Sequence, residues 1–114
     1  MAKLTVLSYQ CEEISEDIGS IVLKEVELSD PGPGEVRVRL KACAVNFPDL
    51  LMIQGKYQFK PPLPFAPGSE AAGDIEACGP ECDFKEGDKV IVSMRCGGFS
   101  EGVVVDQSQV RAIP

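Results

Sequence analysis

The sequence predicts a mainly β domain, a closed or partly open barrel with one or two short helices. Three observations lead there. Seven short segments have strand character and are separated by glycine- and proline-bearing turns. One segment alone carries both a start and a stop signal for a helix. The 114 residues are 44% hydrophobic and 25% charged, which suits one folded domain and leaves no room for two.

Lys3 to Tyr9 and Ser20 to Leu28 read as strands, the second rich in β-branched residues, and the acidic stretch Cys11 to Gly19 joins them as a pair. Asp30-Pro31-Gly32-Pro33-Gly34 then stops regular structure, because two prolines withhold amide donors and two glycines allow positive φ. From Glu35 to Val45 the alternation is strong. Val36, Val38, Leu40, Ala42 and Ala44 are expected on one face, and Arg37, Arg39, Lys41 and Cys43 on the other. At Asn46 the period changes: Asn46 suits an N-cap, Pro48 the first turn, Asp49 the positive end of the helix dipole, and Gly55 the stop. This helix of about two turns is expected to plug the core through Phe47, Leu50 and Leu51, with Gln54 on the same side by spacing. Tyr57 to Pro67 holds prolines at 61, 62, 64 and 67 and reads as a surface loop. Ser69 to Cys78, Lys89 to Met94, Phe99 to Val105 and Gln109 to Ile113 complete the strands.

The composition excludes several classes of function. Eleven Lys and Arg against eighteen Asp and Glu give a net charge of −7, the wrong sign for binding nucleic acid. Apolar runs are only a few residues long, against about 20 for a membrane span, and the N-terminus lacks a signal peptide's long apolar region, so a cytoplasmic location is expected. Histidine is absent, which removes Ser-His and Cys-His nucleophile pairs and imidazole-bound zinc. The cysteines are Cys11, Cys43, Cys78, Cys82 and Cys96, an irregular set read as reduced thiols. The one close pair, Cys78 and Cys82, flanks Gly79-Pro80 and fits a turn better than a zinc knuckle. The glycines at 68, 73, 79, 87, 97 and 98 form no G-x-G-x-x-G and precede no GK[ST], so they read as turn and close-packing glycines and not as a phosphate loop.

Three segments go beyond what a barrel needs: Cys43-Ala44-Val45-Asn46-Phe47-Pro48-Asp49, Ala66-Pro67-Gly68-Ser69-Glu70-Ala71-Ala72-Gly73 and Phe84-Lys85-Glu86-Gly87-Asp88-Lys89-Val90. In this order and spacing they resemble the N-terminal, GroES-like domain of the medium-chain dehydrogenase/reductase superfamily, within it the zinc-free quinone oxidoreductases related to zeta-crystallin. The resemblance runs over almost the whole chain, 1–114, and implies a GroES-like, partly open β barrel. It also implies that the nucleotide-binding Rossmann domain of such proteins lies outside this chain.

Aligned on Asp49, the resemblance puts the catalytic zinc's cysteine ligand at Asn46, its histidine ligand at Ser69 and the hydroxyl relay at Pro48. Amide and hydroxyl are poor zinc donors and proline has no proton to pass on, so no zinc is expected. The implied chemistry is hydride transfer from NADPH to a quinone or other α,β-unsaturated carbonyl, in a longer protein that is a homo-oligomer, with this domain inactive by itself. Asn46 is then the candidate donor to the substrate oxygen, with helix capping as its other role, and Tyr57 a second candidate hydroxyl, with loop packing as its alternative. Leu51 stands near the nicotinamide where many quinone oxidoreductases carry tyrosine. Asp49 and Glu70 resemble the acids behind the zinc ligands and are expected to tie the helix end to the Pro-Gly-Ser-Glu bend. Other superfamily members act as vesicle-associated or adaptor proteins, which makes a non-catalytic interaction module the alternative.

Overall fold

The structure, a computed structural model, describes residues 4–16 and 21–114. The expected strand starts at Lys3 and Ser20, and the end of the linking stretch Cys11 to Gly19, lie outside the described residues. Seven strands and one α-helix follow in the order β1 (Leu4–Cys11), β2 (Ile21–Leu28), β3 (Glu35–Cys43), α1 (Phe47–Ile53), β4 (Glu70–Cys78), β5 (Lys89–Ser93), β6 (Gly102–Asp106) and β7 (Val110–Ala112). A 3-10 turn, Gln107–Gln109, joins the last two strands.

The strands form two sheets. β1 and β2 are an antiparallel hairpin, paired from Leu4 with Leu28 to Cys11 with Ile21. The other five make an antiparallel sheet in the order β6-β3-β4-β5-β7. Bridges from Ser8 to Ser100 and from Cys11 to Phe65 fasten the hairpin to the larger sheet's side, so the barrel stays partly open. Val36, Val38, Ile75, Val90, Val92, Val103 and Val110 form the main core on one face of the five-stranded sheet. Each fully buried valine there contributes about 1.5–3 kcal/mol, and β-branched side chains suit the pleated surface. A second cluster of Cys11, Met52, Ile53 and Phe65 sits between the hairpin and α1.

Two expectations about faces fail. The alternation along β3 holds for Val36 and Val38, then breaks at a bulge between Leu40 and Ala42. Beyond it Ala42 and Ala44 are exposed and Cys43 is half-buried. An extra residue on one strand reverses the phase of every side chain after it. In α1 the core side is Asp49, Met52 and Ile53, while Phe47 is 69% exposed and Leu50 and Leu51 are half-buried. Positions 49, 52 and 53 share a helix face, and Asp49 turns that face inward because backbone amides wait there for its carboxylate. The expected strand Phe99 to Val105 ladders only from Gly102, and no helix among the described residues is long and apolar enough to cross a membrane.

Candidate functional site

The corner where β3 turns into α1 is built around one buried carboxylate. Asn46 occupies the N-cap with extended φ −117° and ψ 159°, and Pro48 sits in the first turn, where a missing amide costs nothing. Asp49, 1% exposed, accepts hydrogen bonds from the Asn46 backbone amide at 2.8 Å and the Gly68 amide at 3.2 Å. Its carboxylate therefore rests on two N–H dipoles, one at the start of α1 and one from the bend before β4. Gly68 has φ +104°, and a Cβ there would stand 2.7 Å from the Phe99 ring and 2.9 Å from Cys43 Sγ. Only glycine fits.

The Asn46 side-chain amide donates to Glu70 Oε1 at 2.7 Å, and the Ala44 amide donates to the Glu70 carbonyl at 2.9 Å. The expected tie between the helix start and the Pro-Gly-Ser-Glu bend is thus present in both of its parts. Burial, reinforced by the negative charges of Asp49 and Glu70, raises the Cys43 thiol above its ordinary pKa; burial and Asp49 do the same to Cys96. Both thiols are kept in the protonated, unreactive form near neutral pH.

Beside this corner lies a cavity of about 570 Å³, bounded by Pro48 and Met52 of α1, by Tyr57, Gln58, Phe59 and Lys60 of the loop, and by Ser69, Met94 and Arg95. Pro48, Ser69 and Tyr57, which are scattered in sequence, meet there. Tyr57 also packs against the cluster of Met52, Ile53 and Phe65, so its ring is loop packing as well as cavity wall. Neither Asn46 nor Leu51 is among the lining residues. Asn46 lies two residues before Pro48 with one amide hydrogen committed to Glu70, and Leu51 is half-buried along the helix.

Sequence reasoning missed Arg95. Its guanidinium stands 4.8 Å from the Phe59 ring centroid, a cation–π distance, and with Lys60 it gives the cavity two cations and no acid. Nothing in the local pattern marks Arg95, because Phe59 is 36 residues away and the contact exists only after folding.

The cavity wall combines apolar side chains, Pro48, Met52, Phe59 and Met94, with polar ones, Tyr57, Gln58 and Ser69. Among the described residues no group of three or more His, Cys, Asp or Glu is placed to hold a metal ion. Gly73 and Gly79 press on the backbone carbonyls of Arg39 and Gly32, as close-packing glycines do.

A partly open GroES-like fold with a strand-to-helix corner beside a cavity is the architecture of an oxidoreductase-family domain. The chain belongs to the alcohol dehydrogenase GroES-like domain family of the medium-chain dehydrogenase/reductase superfamily, which matches residues 32–114. It is 47% identical over 85 residues to the human synaptic vesicle membrane protein VAT-1 homolog, covering 74% of this chain and 22% of that protein. To the mouse quinone oxidoreductase-like protein 2 it is 38% identical over 105 residues, covering 91% of this chain and 29% of the relative. A mycobacterial protein solved as a complex with NADPH superposes with a TM-score of 0.83 at 27% identity, covering 96% of this chain and 34% of its own. The chain thus spans between a fifth and three tenths of the length of these two relatives.

Proposed function

We propose that this oxidoreductase-family domain forms the substrate-side wall of a zinc-independent NADPH:quinone or enone reductase. NADPH, when bound largely by a nucleotide domain outside this chain, supplies the hydride. The chain's own residues orient the acceptor and answer the charge that develops on its oxygen. The second amide hydrogen of Asn46 is left for that oxygen once the first has gone to Glu70, and the Tyr57 hydroxyl is a second donor. Leu51, half-buried on the same helix, is assigned to the nicotinamide side.

The observation that carries this reading is the meeting of Pro48, Ser69 and Tyr57 around one cavity beside Asn46. The positions that hold ligands in zinc-dependent relatives offer here an amide and a hydroxyl. The reading includes a cytoplasmic homo-oligomer for the longer protein. A specific observation favours a second reading, an interaction module: the chain is 47% identical to the human VAT-1 homolog over 85 residues, and Val45 and Phe47 beside the corner are 70% and 69% exposed. The test joins this chain to a nucleotide domain and follows NADPH absorbance with a quinone and with an enone. Consumption of NADPH supports the reductase. Neither turnover nor NADPH binding would leave the interaction module.

A further inference from the structure

The turn after β4 is built from residues that the cleft does not use. Gly79–Cys82 places Pro80 and Glu81 at the two central positions, and Glu81 has φ 63°, the pattern of a type II turn whose second centre ordinarily goes to glycine. A left-handed non-glycine residue costs about 1–2 kcal/mol, so its surroundings must hold it. They do so from two sides. The Gly34 amide donates to the Pro80 carbonyl at 2.7 Å, and the Gly79 amide donates to the Glu35 carbonyl at 2.9 Å. The Gln107 side chain grips the far side, its Nε2 donating to the Glu81 carbonyl at 2.9 Å and its Oε1 accepting from the Asp83 amide at 3.0 Å.

This fixed turn folds Cys82 back onto Cys78, the last residue of β4. Both sulfurs engage one residue: Cys78 Sγ donates to the Phe84 carbonyl at 3.2 Å, and Cys82 Sγ accepts from the Phe84 amide at 3.4 Å. Both thiols are half-buried, neither is in a disulfide, and the nearness of Cys82 is one of the causes that raise the Cys78 thiol above its ordinary pKa.

We propose that Cys78 and Cys82 are a preorganised dithiol site that closes into an intramolecular disulfide by exchange with a small disulfide of the glutathione disulfide type. The Cys82 thiolate attacks one sulfur of the small disulfide, forming a mixed disulfide and releasing one small thiolate. Cys78 then gives up its proton and attacks the Cys82 sulfur, forming the Cys78–Cys82 bond and releasing the second thiolate. Two electrons pass from the protein sulfurs to the small disulfide, which leaves as two thiols. Because both sulfurs are anchored on Phe84, the second step is intramolecular, so a mixed disulfide does not accumulate. Burial and the Cys82 contact push the Cys78 thiol up to about 11, so closure speeds up as pH rises. Cys11, 0% exposed, is out of reach of the same reagent.

The test treats the reduced protein with glutathione disulfide at about pH 8.5, near the ordinary thiol pKa, and maps the products by mass. The expected product is lighter by two hydrogens, with its link between Cys78 and Cys82, and dithiothreitol reverses it. Cys78→Ser should instead keep glutathione on Cys82. Phenylarsine oxide, which bridges two neighbouring thiols with loss of water, should bind the unaltered protein and neither Cys78→Ser nor Cys82→Ser. Glutathione persisting on Cys82 of the unaltered protein, a link through Cys43 or Cys96, or equal arsenical binding by the single variants would overturn the proposal.

Discussion

Asn46 and Glu70, 24 residues apart, share a 2.7 Å hydrogen bond from the asparagine amide to the carboxylate, joining the start of α1 to the first residue of β4. The bond aims the amide and leaves its second hydrogen available. In the protein joined to its nucleotide domain, Asn46→Ala is expected to slow hydride transfer on the order of tenfold to a thousandfold. Glu70→Gln keeps the donor but loosens its aim, and should cost less. Single-turnover NADPH oxidation measures both. An unchanged rate in Asn46→Ala alongside a lower Tm would reduce Asn46 to a cap.

Asp49→Asn removes the one buried negative charge that presses on both Cys43 and Cys96. The pKa of each thiol should fall, moving the midpoint of its alkylation rate against pH to lower pH. The new amide also faces an N–H that formerly met a carboxylate oxygen, so stability should drop by about 1–3 kcal/mol in denaturant titration. Thiol profiles that stay in place would remove Asp49 from the account of both thiols.

Gly73 and Gly87 separate two reasons for glycine. A Cβ at Gly73 would stand 1.9 Å from the Arg39 carbonyl oxygen, with Gly73 ladder-paired to Leu40 and Val90. Gly73→Ala must part β3 from β4 and should cost more than about 3 kcal/mol. Gly87 has φ +89° and nothing within 4 Å of its Cβ site, so Gly87→Ala bears only the backbone term, about 1–2 kcal/mol. Urea midpoints rank the two, and equal midpoints would contradict the packing argument.

Alkaline pH should weaken the fold through Cys78. Burial, then the contact with Cys82, then nearby acids including Glu86 and Asp88 push its thiol from an ordinary 9.0 to about 11. The unfolded chain releases this proton near 9 while the folded chain holds it, so the contribution is full below pH 9 and is lost as pH rises towards 11. Under reducing conditions, Cys78→Ala should show a shallower decline in Tm across that window than the unaltered protein. Parallel declines would remove Cys78 from the account.

All seven strands were legible in the sequence because turns and β-branched runs are local signals, and the Asp30–Gly34 and Gly79-Pro80 stops fall where the chain turns. The expected bond between the helix end and the Pro-Gly-Ser-Glu bend is present. The helix face was not legible: counting apolar residues sends Asp49 outwards, whereas the Gly68 amide, 19 residues on, draws it in. The end of β3 was lost to a bulge, which is set by pairing with β4 and not by β3 itself. Arg95 reaches the cavity wall through a ring supplied by a distant loop.

Residues 97–101 make no ladder of their own, yet Gly97, Gly98 and Phe99 donate to the carbonyls of Ala66, Gly68 and Pro67, while the carbonyls of Phe99 and Glu101 receive Tyr9 and Leu40. The hairpin, the bend beneath the cavity and the middle of β3 therefore share a single splint. A disturbance of that splint would displace all three together, coupling the outer edge of the domain to the floor on which a substrate would rest.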